Sequence, residues 1–284
     1  MNKSKQKWLV LLYTLSEMGG GGPRNAVLQH INDYGYWDKN DANDILRSTR
    51  NEKAWRNDFS FERQHLVERG LMEGGGDGNW KITESGRAYL SQLKDLALHL
   101  GAGTVPHYTP AFFQELVAPQ SMMESAEDQI LITQLAQREY GKETDAALLS
   151  DTPQEKGAVS RKSANGTVYL RRSAVARCAL DRAENLCEID PTHKSFLRRD
   201  GASLYMEPHH LIPMSLTDFF GVNLDRTQNI FSLCSHCHNQ IHYGTKEDVR
   251  RLVSKLFLAR KNEICSILGR TIELEDLYRI YKAL

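Results

Sequence analysis

The run Trp8-Leu-Val-Leu-Leu-Tyr-Thr-Leu15 has the spacing of a buried helical face, and it ends at four glycines, Gly19 to Gly22. Pro23 then opens a second helix through about Tyr34, since proline suits a first helical position. Asp41 is placed to cap a short third helix through about Arg47. Ala54 to Arg69 predicts a fourth, with Phe59, Phe61, Leu66 and Val67 as its apolar positions and Gly70 as its C-cap. The stretch Leu71 to Thr83, glycine-rich in its middle and carrying Trp80 and Ile82, predicts a hairpin of strand, glycine tip and strand. Thr83-Glu-Ser-Gly86 begins a last helix of this module.

The middle of the chain is less patterned. Gly101-Ala-Gly103 and the stretch Pro106 to Pro110 predict a linker, Glu124 to Tyr140 an amphipathic helix, and Thr152-Pro153 another break. From Lys156 to Arg199 basic residues outnumber acidic ones roughly two to one, a local excess of the kind that faces a polyanion. Arg171, Arg172, Arg177 and Arg182 are expected on one helix leading into Cys187. Lys246 to Leu284 predicts two or three helices, with Leu252, Leu256, Ile264 and Leu268 inside. The order of elements implies an α+β chain in three parts: residues 1–100, a helical linker or dimerisation segment at 101–155, and a C-terminal part at 156–284.

Bulk composition narrows the class. With 40% apolar and 25% charged residues in 284, the chain has an ordinary capacity to bury a core. Its 36 basic and 36 acidic residues give no global basic signature, so any polyanion contact must come from a local field acting over about 10 Å. Met1-Asn-Lys-Ser-Lys-Gln-Lys7 has the charge of a signal n-region, but the apolar run after it is short and has no small-residue cleavage site. No segment approaches the ~20 apolar residues needed to span a bilayer. Five cysteines, including one Cys-x-x-Cys beside histidines, fit metal binding in a reducing compartment, and the cytoplasm is the expected location.

The chemistry is concentrated between Cys187 and His242, which hold six of the ten histidines and three of the five cysteines. Cys234-x-x-Cys237 is a knuckle that supplies two thiolates to one zinc. A second pair is needed, and Cys187 with His193 completes a structural site; Asp190, where a second knuckle would place cysteine, is the alternative fourth ligand. Such a site contributes on the order of 10 kcal/mol to folding. His238 and His242 lie four apart, so a helix after the knuckle puts both on one face. His209 and His210 end the strand-like Tyr205-Met206-Glu207 and point to opposite sides of it. One imidazole can then bind a divalent ion while its neighbour, with an ordinary pKa of about 6.5, takes a proton from water. His236 inside the knuckle reads as solvated, and Cys178 and Cys265 as core thiols.

Glu207-Pro-His209-His210-Leu-Ile-Pro213, Asn229, and His238-Asn239 with His242 resemble the HNH endonuclease family, and Cys187, Cys234 and Cys237 resemble its zinc-bearing branch. The match covers about residues 180 to 245. It implies a ββα-metal fold, with His210 as general base, Asn229 holding the loop and the base, and His209, His238 and His242 on a catalytic ion. It further implies Mg²⁺, Mn²⁺ or Ni²⁺ there and structural Zn²⁺ beside it. The first knuckle departs from the pattern at Asp190. The phrase from His65-Leu-Val through Trp80-Lys-Ile-Thr83 to Leu90 resembles the N-terminal winged-helix module of some restriction enzymes that act on modified DNA.

Together these features lead us to expect a metal-dependent DNA endonuclease, a type II or modification-dependent restriction enzyme. It would act as a homodimer on double-stranded DNA, because one such centre cuts one strand. Lys53, Arg56, Arg63, Arg171 and Arg172 are the expected DNA contacts. The rival readings are a DNA-binding regulator with a zinc-held scaffold, and a homing or phage-type nuclease sharing the cutter.

Overall fold

The first helix, α1 (Lys3–Glu17), is buried from Gln6 to Leu15 without interruption, not along one face. A run that is apolar on all sides needs neighbours on all sides. In the computed structural model α1 packs against α2 (Arg24–Asp33), α3 (Ala54–Glu68) and α4 (Glu84–His99). The structure describes residues 1–39, 44–47, 52–75, 78–99, 106–117, 126–137, 149–163, 166–199 and 201–284. These divide into two units, Met1–Leu116 and Val117–Leu284. Helices with several two-stranded pairings make the chain α+β.

In the first unit, β1 (Gly21–Pro23) precedes α2, and β2 (Leu46–Arg47) pairs antiparallel with β3 (Glu52–Lys53) before α3. A helix running to Arg47 is therefore not formed: Leu46 and Arg47 are strand, and the expected cap at Asp41 lies outside the described residues. The hairpin expected at 71–83 forms and gains a third strand. Its arms meet at the Met72–Ile82 bridge, with the Glu73 amide donating to the Lys81 carbonyl at 3.0 Å and the Thr83 amide to the Leu71 carbonyl at 3.2 Å, and its second arm, β4 (Asn79–Lys81), also pairs with β1. Glycine makes the close approach of β1 possible, because a Cβ on Gly21 would sit 2.7 Å from the Trp80 carbonyl oxygen. Phe61, expected inside, is half exposed on α3, whereas Phe59 is fully buried.

The helix α5 (Pro110–Leu116) closes this unit by seating Phe112 at 5.3 Å from Tyr13 and 5.1 Å from Tyr36, between ring centroids. Burial raises the phenol of Tyr108, which precedes α5, to about 12.

The second unit begins with α6 (Ala126–Gln137), whose expected outer ends lie outside the described residues. The hairpin β5 (Val159–Ser163) and β6 (Gly166–Tyr169) follows, and then α7 (Ser173–Arg182). Arg171 and Arg172 precede α7 instead of lying on it. The central pair is β7 (Glu207–His210) with β8 (Ile230–Leu233), antiparallel, matching Glu207 to Leu233 and His210 to Ile230. All eight residues are buried, because α7 covers the pair together with α9 (Ser235–Tyr243). Strands covered on both faces need no polar alternation. The short α8 (Thr217–Phe220) lies in the connection between β7 and β8. The long α10 (Lys246–Leu268) packs on α9 and departs from helical geometry at Arg260. It ends on Gly269 at φ 65°, a left-handed cap, and α11 (Leu274–Ile280) packs back on it.

Arg260 turns inward at that break. Its guanidinium donates to the Thr227 and Ile230 carbonyls, both at 2.9 Å, and to Glu188, while lying over the Phe231 ring at 4.2 Å. Glu188 accepts in turn from the Ser232 amide at 2.7 Å. Arg226, also buried, donates to the carbonyls of Ser150 and Thr152 and ties that segment to the sheet. Among the described residues, no helix is long and apolar enough to cross a membrane.

Candidate metal centres

Two clusters of metal-ligating side chains flank β8 and α9. In the first, the ligand atoms of Cys187, His193, Cys234 and Cys237 all lie within 4.8 Å of one another. Cys187 follows α7, Cys234 caps α9, and Cys237 lies one turn into that helix. His193 Nδ1 is 3.7 Å from Cys234 Sγ and 3.2 Å from Cys237 Sγ. A tetrahedral zinc with the usual bond lengths requires sulfur–nitrogen edges of about 3.5 Å, so the donor set fits that ion. Burial, with Cys187 and Cys234 alongside, pushes the Cys237 thiol far above its ordinary range. Thiolates crowded in this way need a cation among them. No cysteine is in a disulfide.

The structure brings His193, and not Asp190, to the sulfurs. Asp190 Oδ1 accepts from the Thr192 amide at 2.9 Å and hydroxyl at 2.7 Å, which holds the turn and keeps its carboxyl below the usual range. Its other oxygen is 4.0 Å from His193 Nε2.

The second cluster is a near-equilateral triangle of imidazoles. Ring centroids of His209 and His238 are 5.2 Å apart, those of His209 and His242 5.2 Å, and those of His238 and His242 4.9 Å. The ligand nitrogens lie within 4.8 Å of one another, and His238 Nε2 is 3.3 Å from His242 Nε2. Two nitrogens each about 2.1 Å from one ion would sit roughly 3.0 to 3.4 Å apart, so this pair is spaced for joint ligation. His209 and His238 are buried and His242 is half-buried.

Fixed neighbours set which nitrogen of each ring points inward. His238 Nδ1 is 2.6 Å from Glu207 Oε2, so it donates there and leaves Nε2 for the cluster. Burial opposes ionisation of Glu207, but hydrogen bonds from His238 and Ser235 outweigh it and hold the carboxyl below its ordinary value. Tyr281 donates its hydroxyl to the Leu211 carbonyl at 2.8 Å, so His209 Nε2, 2.9 Å from the Tyr281 hydroxyl oxygen, must donate to that hydroxyl. His209 Nδ1 is then the free lone pair. Burial first, and then His238, His242 and His210, push the His209 imidazole well below its ordinary range, so it is held neutral. A neutral imidazole is the form a metal binds.

His210 lies on the other side of β7, as strand alternation requires. Its Nε2 is 3.1 Å from Asp225 Oδ1, and both side chains are almost wholly buried. Asn229 is fully buried, and its side-chain hydrogen bonds go to backbone groups. Its Oδ1 accepts from Ile212 N at 2.8 Å, and its Nδ2 donates to the Ile212 and Leu224 carbonyls at 2.9 Å each. It therefore braces the loop after β7 against the loop before β8.

The expected DNA contacts fall in different settings. Lys53 pairs with Asp44 at 2.6 Å and Arg56 with Glu52 at 3.5 Å, and both line an open groove with Arg24 and Trp55. Arg63 donates to the Glu73 carbonyl at 3.1 Å. Arg171 is an inward residue: its side chain is 8% exposed and pairs with Asp128 on α6. The Arg172 backbone amide donates to Asp225 at 2.9 Å, and its Nε lies 3.4 Å from the same oxygen.

Glu207, Asp225 and Tyr281 carried no role in the sequence reading. Glu207 was within reach, because it sits two residues before His209 and so shares its side of the strand. Asp225 and Tyr281 arrive from separate loops and helices, and no local pattern marks them.

Residues 6–92 match the family model of the Mrr N-terminal domain. Over 91 residues the chain is 31% identical to the type IV methyl-directed restriction enzyme EcoKMcrA of Escherichia coli strain K12. That segment is 32% of this chain and 30% of that protein, so the likeness spans under a third of the curated relative's length. In these parts the chain is similar to the Mrr N-terminal domain and to a restriction enzyme.

Proposed function

We propose that the chain is a metal-dependent DNA endonuclease of the HNH, ββα-metal kind, and a restriction enzyme acting on foreign and methylated DNA. The observation that supports this is the imidazole triangle of His209, His238 and His242 with His210 on the opposite side of the same strand. Partial likeness to a methyl-directed restriction enzyme supports the substrate class. When bound by His209, His238 and His242, a divalent ion (Mg²⁺, Mn²⁺ or Ni²⁺) supplies positive charge at the phosphate and the leaving oxygen.

The chain's own residues do the rest. His210 takes a proton from a water through Nδ1, and the water oxygen attacks phosphorus. The bond from phosphorus to the leaving sugar oxygen breaks, and that oxygen takes a proton from solvent. Asn229 keeps the His210 loop rigid. Zinc on Cys187, His193, Cys234 and Cys237 fixes the start of α9, and with it His238 and His242.

In this reading residues 1–100 are a winged-helix DNA reader, 101–155 a linker or dimerisation segment, and 156–284 the nuclease. Lys53, Arg56 and Arg63 face the duplex, with the exposed part of Arg172. Arg171 braces α6 internally. A homodimer on double-stranded DNA accounts for a double-strand break, and the cytoplasm is the location.

The test is incubation of supercoiled plasmid, unmodified, adenine-methylated or cytosine-methylated, with protein and Mn²⁺, Mg²⁺ or Ni²⁺. Nicked and linear product from at least one plasmid is expected, absent with EDTA and absent with His210→Ala. Duplex binding without cutting in every combination would leave the DNA-binding regulator standing instead.

A further inference from the structure

We propose that Asp225 is a positioning residue that fixes the tautomer and orientation of His210; the inference rests on the nuclease reading above. Asp225 Oδ1 faces His210 Nε2 at 3.1 Å, with side chains 2% and 6% exposed. Its other oxygen is claimed by the Arg172 backbone amide at 2.9 Å and approached by the Arg172 guanidinium Nε at 3.4 Å. The Asp225 amide donates to Asn223 Oδ1 at 3.0 Å, so the backbone is fixed as well. A carboxylate has acceptors only, and each oxygen here meets a donor. His210 must therefore carry its proton on Nε2. Its Nδ1 is left as a lone pair, the state a general base needs.

An amide cannot do the same. In Asp225→Asn one side must become a donor. The Arg172 side presents a backbone N–H and a guanidinium N–H, which demand oxygen, so the NH₂ is driven toward His210. The imidazole then accepts at Nε2 and carries its proton on Nδ1, where it cannot take another. Shape and volume are unchanged, so the substitution alters the proton position without opening a cavity.

Two measurements on the zinc-loaded full-length chain test this. Long-range ¹⁵N–¹H spectra of histidine-labelled protein, with the His210 ring assigned by its loss in His210→Ala, report the tautomer directly. We expect Nε2–H in the wild type and Nδ1–H in Asp225→Asn; Nδ1–H in the wild type overturns the proposal. The second is a nicking assay on the plasmid that the wild type cuts. Asp225→Asn should lower kcat on the order of 10³- to 10⁴-fold, the scale seen when an amide replaces the carboxylate behind a catalytic imidazole in serine proteases. KM should change less than about threefold, because the loss is confined to the transition state.

A wild-type rate in Asp225→Asn overturns the proposal while leaving the nuclease reading intact. Full activity of His210→Ala itself would instead sink the underlying assignment of the base.

Discussion

Glu207 on β7 and His238 on α9 are joined by a 2.6 Å hydrogen bond that crosses from strand to helix. Ser235 donates to the other Glu207 oxygen at 2.6 Å, so both carboxylate oxygens serve α9. A partner of this kind orients a metal-binding imidazole and raises its basicity. Glu207→Gln should therefore weaken Mn²⁺ binding roughly 10- to 100-fold. Calorimetric titration of the zinc-loaded protein measures it. Unchanged Mn²⁺ affinity would show that His238 does not depend on Glu207.

Tyr281 acts on His209 from 72 residues away. Tyr281→Phe removes the acceptor for His209 Nε2–H and leaves that buried donor unpaired. The cost should be about 1 to 3 kcal/mol of stability. Mn²⁺ affinity should also fall, because His209 becomes free to rotate. A thermal melt with a parallel Mn²⁺ titration checks both. A melt shifted without any change in Mn²⁺ affinity would assign Tyr281 to packing alone.

The contrast between these partners and the ligands themselves explains what the sequence disclosed. The candidate site residues are local: Cys234-x-x-Cys237 and His238-x-x-x-His242 follow from one turn of α9, and the opposite sides of His209 and His210 from strand alternation. The inward positions of α3 were legible for the same reason, since Phe59 and Leu66 stand about two turns apart and are both buried, whereas Trp8 to Leu15 has the look of one helical face and is buried all round. What was not legible depends on distant approach. Nothing near Asp225 marks it as the partner of His210, and β1 gives no strand signal because it is made of Gly21, Gly22 and Pro23. The basic excess before Cys187 was misleading at Arg171. Counting charges does not reveal that Asp128, 43 residues earlier, already neutralises it.

The first unit should lose stability as pH falls below neutral. Burial, outweighing Glu17 and Asp33, lowers the His30 imidazole, and burial followed by Lys3 lowers His107 despite Asp38. In the unfolded chain both return to about 6.5. Between the folded and unfolded values the unfolded state holds more protons, so stability rises with pH through that window. The contribution is complete above about 6.5 and is lost as pH drops below it. Melting temperatures of the wild type and of His30→Gln/His107→Gln between pH 5 and 8 isolate the effect, since the metal ligands are common to both. The double variant should show the flatter profile toward pH 5. Parallel profiles would mean that neither imidazole is held neutral by the fold.

The two candidate metal centres should come apart experimentally, because their donors differ in kind. Three sulfurs with one nitrogen bind zinc with apparent free energies on the order of 10 kcal/mol, which become folding free energy for the segment they close. Three neutral imidazoles hold a divalent ion more weakly and exchange it. Brief EDTA treatment should therefore stop cleavage with one zinc per chain retained and the circular dichroism spectrum unchanged, and Mn²⁺ should restore cutting. Cys237→Ser should lose the zinc and, with it, the placement of His238 one residue later on α9, so added Mn²⁺ should not restore activity. Elemental analysis beside the nicking assay distinguishes the cases. If zinc and activity leave together under brief chelation, the two clusters behave as one centre, and the division between a structural and a catalytic ion fails.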